Sequence, residues 1–100
     1  MGITYNHRHL GLFSRPLVTI EDDCFYFKNS RYTHSDIKHV RVVGGGGQPQ
    51  RMGVKLLDGR LIWVNAVALE RDGVKAKTGF LSGTNRFFEE LREFFEGPNT

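Results

Sequence analysis

His7 and His9 are the two histidines whose spacing best suits metal binding in this 100-residue chain. On a β-strand the side chains of residues i and i+2 point the same way, so both imidazole rings would face one ion. Zinc sites take three or four protein ligands, and the sequence clusters no further ligand near this pair, since His34 and His39 lie well downstream. We therefore predict neither a bound metal nor any other cofactor.

Nucleophilic and phosphate-binding motifs are also incomplete. Cys24, the single cysteine, stands in an apolar stretch, which indicates an inert, partly buried thiol and excludes an internal disulfide. The serines stand in turn-like contexts outside any Gly-x-Ser-x-Gly motif. The glycine run at 44–47 is followed by Gln48-Pro49-Gln50, whereas a phosphate-binding loop continues as Gly-Lys-Ser/Thr into a helix. The sequence therefore predicts a protein that is not an enzyme.

Binding through charge is the chemistry that remains. The formal net charge is +3 and the isoelectric point is about 9.3, a mild excess that permits an acidic partner without requiring one. The cations predicted to line an exposed sheet face are Lys38, Arg41, Arg51 and Lys55. Such a face would contact phosphates or an acidic protein surface, although an ordinary solvated face is the simpler interpretation at this net charge. Nucleic-acid binding normally shows a stronger basic stripe with stacking aromatics, and the three tyrosines suit packing across strands better.

Short runs of β-branched and aromatic residues predict the strands that would position these side chains. These runs lie at 17–20, 24–28, 31–33, 39–43, 51–57 and 61–64, with a short corner at Ser35-Asp36. Residues 3–13 have no clean period, which leaves either an irregular first strand or a flexible arm that ends at Arg15-Pro16. Residues 44–50 predict a mobile connection.

The strongest local signal is Asp58-Gly59 between two apolar runs, which predicts a two-residue type I′ hairpin. In the incoming strand Met52, Val54 and Leu56 share one face, and Arg51, Gly53, Lys55 and Leu57 share the other. The returning strand, 61–64, is apolar throughout and is predicted to be buried on both sides.

The C-terminal part of the chain predicts an amphipathic helix. Thr84 would cap it, it would run through Glu96, and Gly97-Pro98 would stop it. The apolar residues of this segment are Phe87, Phe88, Leu91, Phe94 and Phe95. Between the hairpin and this helix, residues 66–70 fit a helical turn or a strand, and residues 74–81 fit a last strand or a long loop.

Taken together, these elements resemble the bacterial pleckstrin-homology-like (PH-like) domains over roughly residues 17–96. The stretches that carry the resemblance are 18–26, 35–40, 56–60 and 87–91. The resemblance implies an α+β, mainly β fold: a split barrel or roll of about six or seven antiparallel strands, capped by one C-terminal amphipathic helix. It also implies a binding module without catalytic residues. Phosphoinositide-binding members carry Lys and Arg in the first strand–strand loop, whereas the matching turn here is the acidic Glu21-Asp22-Asp23.

We therefore expect a cytoplasmic, non-catalytic module that mediates protein–protein association, with another protein or with a second copy of itself. The expected organisation is an irregular N-terminal strand or arm at 1–16, the PH-like domain at 17–97 and a tail at 98–100. The expected surfaces are the groove beside the C-terminal helix with its nearby edge strand, the exposed helix edge carrying Phe88 and Phe95, and the four cations named above. Peripheral binding to anionic membrane lipid through the basic face is the first alternative, and nucleic-acid binding is the second. No apolar run is long enough to predict a transmembrane segment.

Overall fold

The computed structural model describes residues 2–9, 13–45, 48–75 and 86–97. The described residues form short antiparallel strands, a single 3-10 turn at His34–Asp36 and one α-helix, α1 (Arg86–Glu96). In chain order the strands are β1 (Ile3–His9), β2 (Phe13–Ile20), β3 (Phe25–Phe27), β4 (Ser30–Tyr32), β5 (Ile37–Gly45), β6 (Gln48–Leu56), β7 (Leu61–Asn65), β8 (Leu69–Arg71) and β9 (Val74–Lys75).

The larger sheet has six strands in the order β4-β3-β2-β1-β8-β9. Strand β1 pairs with both β2 and β8, so the segment that the sequence left open between strand and arm is a strand inside the sheet. Strand β2 runs across residue 16 and pairs with β1 on both sides of that position. Within 66–70, residues 66–68 form a bend and a turn, and the strand β8 begins at Leu69.

The smaller sheet has three strands in the order β5-β6-β7. Within the described ranges it shares no paired strand with the larger sheet, and neither sheet closes on itself. The prediction of a mainly β, α+β fold with a C-terminal helix is confirmed. The described residues hold more strands than the six or seven predicted, because tight turns divide short segments into hairpins.

Two of these turns are type I′. Lys28 and Asn29 have φ angles of 52° and 68°, and Asp72 and Gly73 have φ angles of 52° and 84°. Both central residues of a type I′ turn need positive φ, and each pair links strands through a two-residue loop. Asparagine, aspartate and glycine tolerate this conformation better than other residues.

The type I′ prediction at Asp58-Gly59 is wrong. Gly59 has a φ of 96°, but Asp58 is not in the positive-φ region. The Gly59 N–H donates to the Leu56 carbonyl at 3.0 Å, and the Leu56 N–H donates to the Arg60 carbonyl at 2.9 Å. The loop therefore has three residues, a type I turn followed by a left-handed glycine. The Asp58 carboxylate accepts the Arg60 N–H at 2.9 Å, a local hydrogen bond that stabilises this form.

The core lies between the two sheets and α1, which contacts both β8 and β5. The predicted inward face of β6 is confirmed, because Met52, Val54 and Leu56 are fully buried. The prediction for 61–64 is wrong in half of its positions, since Leu61 is 43% exposed and Trp63 is 45% exposed. The smaller sheet packs on the core with one face only, so alternate residues of β7 face outwards.

The glycine-rich connection is shorter than predicted. Strand β5 continues to Gly45 and β6 already begins at Gln48, whereas residues 46–47 lie outside the described residues. Gly44 has a φ of 92° at a register shift between the two strands, and a Cβ there would collide with the Pro49 carbonyl. A glycine is therefore required at this bend.

The helix begins at Arg86, and Thr84 lies outside the described residues. The predicted stop is confirmed: Gly97 has a φ of 85° and its N–H donates to the Glu93 carbonyl at 3.1 Å. The corner at Ser35-Asp36 is confirmed as part of the 3-10 turn. Beyond β9, the predicted segment 76–81 lies outside the described residues.

Hydrogen bonds link the two sheets at the β6–β7 turn, where the Arg60 guanidinium donates to the Ser30 hydroxyl at 3.3 Å. The Tyr32 hydroxyl on β4 donates to the Asp58 carboxylate at 2.7 Å. The Arg60 N–H and this hydroxyl both favour the ionised carboxylate, so they hold the pKa of Asp58 below its usual value, and the same bond raises the pKa of Tyr32.

The lowered pKa of Asp58 predicts a pH-dependent contribution to stability. Because the folded-state pKa lies below the unfolded value of about 3.9, the contribution is present above that pH and is lost as the pH falls through the folded-state pKa. Urea unfolding of Asp58→Ala and the wild type should therefore differ at pH 6 and converge towards acid pH. Asp22→Ala, in an exposed turn, is the control. A difference that is constant with pH would contradict this role for the carboxylate.

Candidate functional site

The outward face of the smaller sheet carries the predicted cations. Strand register brings nine positions together on this face in three rows: His39–Lys55–Leu61, Arg41–Gly53–Trp63 and Val43–Arg51–Asn65. None of the nine is acidic. We call the residues His39, Arg41, Arg51, Lys55 and Trp63 the cationic face.

Trp63 occupies the middle row and lies over Gly53. A Cβ built on Gly53 would be 3.1, 3.2 and 3.5 Å from Cζ3, Cη2 and Cε3 of the indole. Similar distances to three consecutive ring atoms place the face of the ring, rather than its rim, against the glycine. The Arg51 guanidinium carbon lies 5.6 Å from the ring centroid, within the range of a cation–π contact.

The cations of this face differ in their ion pairing from most arginines elsewhere in the fold. Carboxylates pair with Arg8, Arg31, Arg60, Arg71 and Arg92. Among the described residues, no ion pair forms at Lys38, Arg41, Arg51 or Lys55. Their charges are therefore not neutralised within this part of the chain, and a partner with negative charge would meet them directly.

The structure brings together three of the four predicted cations. Arg41, Arg51 and Lys55 share the cationic face. Lys38 is exposed at a bulge in β5, where the register shifts between Ile37 and His39, and it has no partner position on β6. A bulge interrupts the strict alternation of side chains along a strand, which the sequence pattern did not predict.

Phe88 and Phe95, predicted as an exposed helix edge, are placed in the core. Phe88 is 0% exposed, and Phe95 packs edge-on against Phe25 with ring centroids 5.2 Å apart. Because α1 contacts both sheets, its apolar arc is covered from two sides. Phe88 therefore holds the helix in place and offers no surface to a partner, whereas Phe95, which is 2% exposed, reaches only the lining of the groove at the end of the helix.

A groove lies where the edge strand β5 meets the C-terminal end of α1. Its volume is about 510 Å³, and its lining residues are His34, Ile37, His39, Val40, Phe95, Glu96 and Gly97. We call it the edge groove. Since β5 is the outer strand of its sheet, its outward backbone groups have no strand partner within the described residues.

The end of the helix at this groove is fixed by a histidine. The imidazole Nε2 of His34 donates to the Phe94 carbonyl, and the centroids of the His34 and Phe94 rings lie 4.7 Å apart. One of the last carbonyls of α1 is thereby satisfied, and the helix end is held beside the 3-10 turn that leads into β5. The wall of the edge groove is consequently built from packed elements rather than from a free loop.

The polar network between the larger sheet and α1 has a structural role. The Tyr5 hydroxyl donates to Glu90, to which Arg71 also donates at 2.8 Å, so β1, β8 and α1 are joined. Burial, followed by the bond to Glu90, raises the pKa of Tyr5, and the bond to Tyr5 raises that of Arg71. These groups support the docking of the helix and line neither the edge groove nor the cationic face.

The cysteine and histidines considered for catalysis or metal binding form no site among the described residues. Cys24 is buried, as predicted. His7 accepts the Asn65 N–H at Nε2, at 3.2 Å, and the side chain of His9 lies outside the described residues. No cluster of three or more potential metal ligands occurs among the described residues.

Comparison with protein families, with curated proteins and with solved structures finds no match to this chain. The resemblance to PH-like domains stays a prediction, and the function has to be inferred from the two surfaces themselves. In the part of the chain that the structure describes, no helix combines the length and the apolar character needed to cross a bilayer.

Proposed function

We propose that this chain is a non-catalytic binding module of PH-like type, which takes an extended acidic segment of a partner protein along β5. The edge groove is the observation that supports this proposal. It lies beside an edge strand, and adding a partner strand to such an edge is a recurrent mode of peptide recognition. Two antiparallel sheets with a C-terminal helix agree with the fold of such a module.

The lining of the edge groove defines the chemistry of the segment. Ile37, Val40 and Phe95 supply an apolar floor, so alternate side chains of the segment would be apolar. His39 lines the groove and offers a ring N–H, and Lys38, which precedes it on β5, supplies the positive charge that acidic side chains between the apolar ones would meet. Among the described lining residues only Glu96 is acidic, and it disfavours acidic groups at its end of the groove.

A displayed library of random 12-residue peptides tests the proposal. Selection on the wild-type protein should enrich peptides that alternate apolar and acidic residues. His39→Glu should weaken the enriched peptides roughly fivefold, and Glu96→Lys should strengthen them, because the two changes act on the local charge in opposite directions. Binding measured by fluorescence anisotropy of the labelled peptides gives both effects.

A gain in peptide affinity on Glu96→Lys cannot result from unfolding. The substitution should not destabilise the helix, because a cation is favourable at the C-terminal end of a helix. Arg86→Glu is the matched charge control, because Arg86 is exposed at the opposite end of α1. Enriched peptides with no acidic residues, or equal responses to all three variants, would overturn the proposal.

A further inference from the structure

The cationic face is separate from the edge groove except at His39 and carries chemistry that peptide binding does not use. Its distinctive feature is an aromatic ring lying flat on the sheet with cations around it. Arg51 and Lys55 lie two residues before and after Gly53 on β6, and Arg41 is the cross-strand neighbour of Gly53 on β5. Neighbouring strands are about 4.8 Å apart and residues i and i+2 about 6.6 Å apart, so all three side chains start within reach of Trp63.

We propose that the cationic face binds single-stranded nucleic acid. In this arrangement the indole of Trp63 stacks on one base, and Arg41 and Lys55 contact the phosphates on either side of it. Aromatic rings combined with a positively charged surface are the common basis of single-strand binding. No acidic side chain stands among the nine positions of this sheet face to repel the phosphates.

The orientation of Trp63 favours a base over a lipid surface. A tryptophan that anchors a protein in a bilayer projects its ring into the headgroup region. Here the ring lies back against Gly53, so it offers a π-face parallel to the sheet rather than a projecting wedge. The lack of a side chain at Gly53 provides the space for this position.

A depression next to the ring adds groups that suit a nucleobase. It has a volume of about 480 Å³ and is lined in part by Gln48, Arg51 and Asn65. Amide side chains donate and accept hydrogen bonds at base edges, and an arginine plane stacks on bases as well as pairing with phosphate. Arg51 belongs both to this depression and to the cation–π contact with Trp63, so it joins the stacking position to the polar one.

The test uses the intrinsic fluorescence of Trp63, which is the single tryptophan of the chain. A 12-nucleotide oligouridylate should quench this fluorescence as a base stacks on the indole. A 12-mer of abasic sites, which has the same backbone charge without bases, should bind about tenfold more weakly. With about three phosphates contacted, the logarithm of the binding constant should fall with the logarithm of salt concentration with a slope of about −2.

Three variants separate stacking from charge. By anisotropy of a labelled oligouridylate, Trp63→Leu should weaken binding about tenfold, and Gly53→Val, which keeps every charge but displaces the indole, should weaken it several-fold. Arg41→Gln with Lys55→Gln should reduce the salt slope by about 1.4. Arg86→Gln, on the helix, should change neither quantity.

Two results would overturn this inference. Equal binding of the abasic and uridylate 12-mers would show that the face recognises charge without stacking. A blue-shifted Trp63 emission with phosphatidylserine vesicles, together with no binding of either oligonucleotide, would assign the face to an anionic membrane surface instead.

Discussion

Phe88→Ala is expected to lower the free energy of unfolding by about 3–5 kcal/mol, a large effect for a single core substitution. The ring is 0% exposed and belongs to the one cluster in which both sheets and α1 meet. Removing it takes away buried apolar surface and leaves a cavity that this three-way contact cannot collapse without moving the helix. For a domain whose total stability is of the order of 5–15 kcal/mol, such a loss is severe.

Urea unfolding followed by circular dichroism measures this effect. Glu93→Ala, exposed on the same helix, should change stability by no more than about 0.5 kcal/mol. A loss of less than 1 kcal/mol for Phe88→Ala would mean that the helix does not hold the two sheets together, and that Phe88 is available to a partner as the sequence predicted.

Arg8→Leu is expected to cost about 3 kcal/mol, because it breaks an ion pair whose acidic partner is buried. The Arg8 guanidinium donates to the Glu70 carboxylate between β1 and β8, and Glu70 is 1% exposed. Removing the arginine takes one charge-assisted hydrogen bond away from the buried carboxylate, which is costly in a medium of low dielectric constant. The guanidinium is itself partly exposed, which keeps the cost at the lower end of the range for buried pairs.

The double variant Arg8→Leu with Glu70→Leu separates loss of the pair from loss of packing. If loss of the Arg8 charge beside the buried carboxylate causes the destabilisation, the double variant should be more stable than Arg8→Leu in urea unfolding. A double variant that is less stable than the single one would show instead that Glu70 is held mainly by other contacts. The pair joins β1 to the rest of the larger sheet, so the result also measures how firmly the N-terminal strand is fixed.

Local patterns in the sequence were sufficient for elements such as β6 and α1, but not for β1 and β8 and not for every face. The alternation of Met52, Val54 and Leu56 with polar neighbours predicted the inward face of β6, because a strand packed on one side has period two. The helix and its stop at Gly97 followed from the apolar stripe and from the conformational freedom of glycine. These features depend on interactions within a few residues, which a single sequence contains.

Trp63 was missed because an all-apolar strand predicts burial on both sides, whereas β7 is buried on one side only and the turn before it decides on which side the indole lies. A two-residue turn at Asp58-Gly59 pairs Val54 with Trp63 and directs the indole into the core. The three-residue loop pairs Gly53 with Trp63 instead, and the indole faces outwards. Since a slip of one residue reverses every side chain of a strand, the turn type decides whether the ring is core or surface. Asp-Gly occurs twice in the chain, and only Asp72-Gly73 forms the type I′ turn.

The exposure predicted for Phe88 and Phe95 failed for a different reason. The sequence shows that the apolar arc of α1 is broad, but not how many sheets lie against it. Two sheets do, so the arc is covered from both sides. Contacts between distant segments of the chain, such as α1 with β5 and β8, are set by tertiary packing and leave no local signature.

Amide hydrogen exchange tests most directly the proposal that β5 receives a partner strand. It would be measured on the protein alone and with the tightest peptide from the selection on the edge groove. Outward-facing N–H groups of β5 should exchange rapidly in the free protein and become protected when the peptide binds, because they then donate to its backbone. The opposite edge strand of the same sheet, β7, should keep its exchange rates. Protection confined to β7, or none in β5 with the peptide bound, would contradict the proposed function.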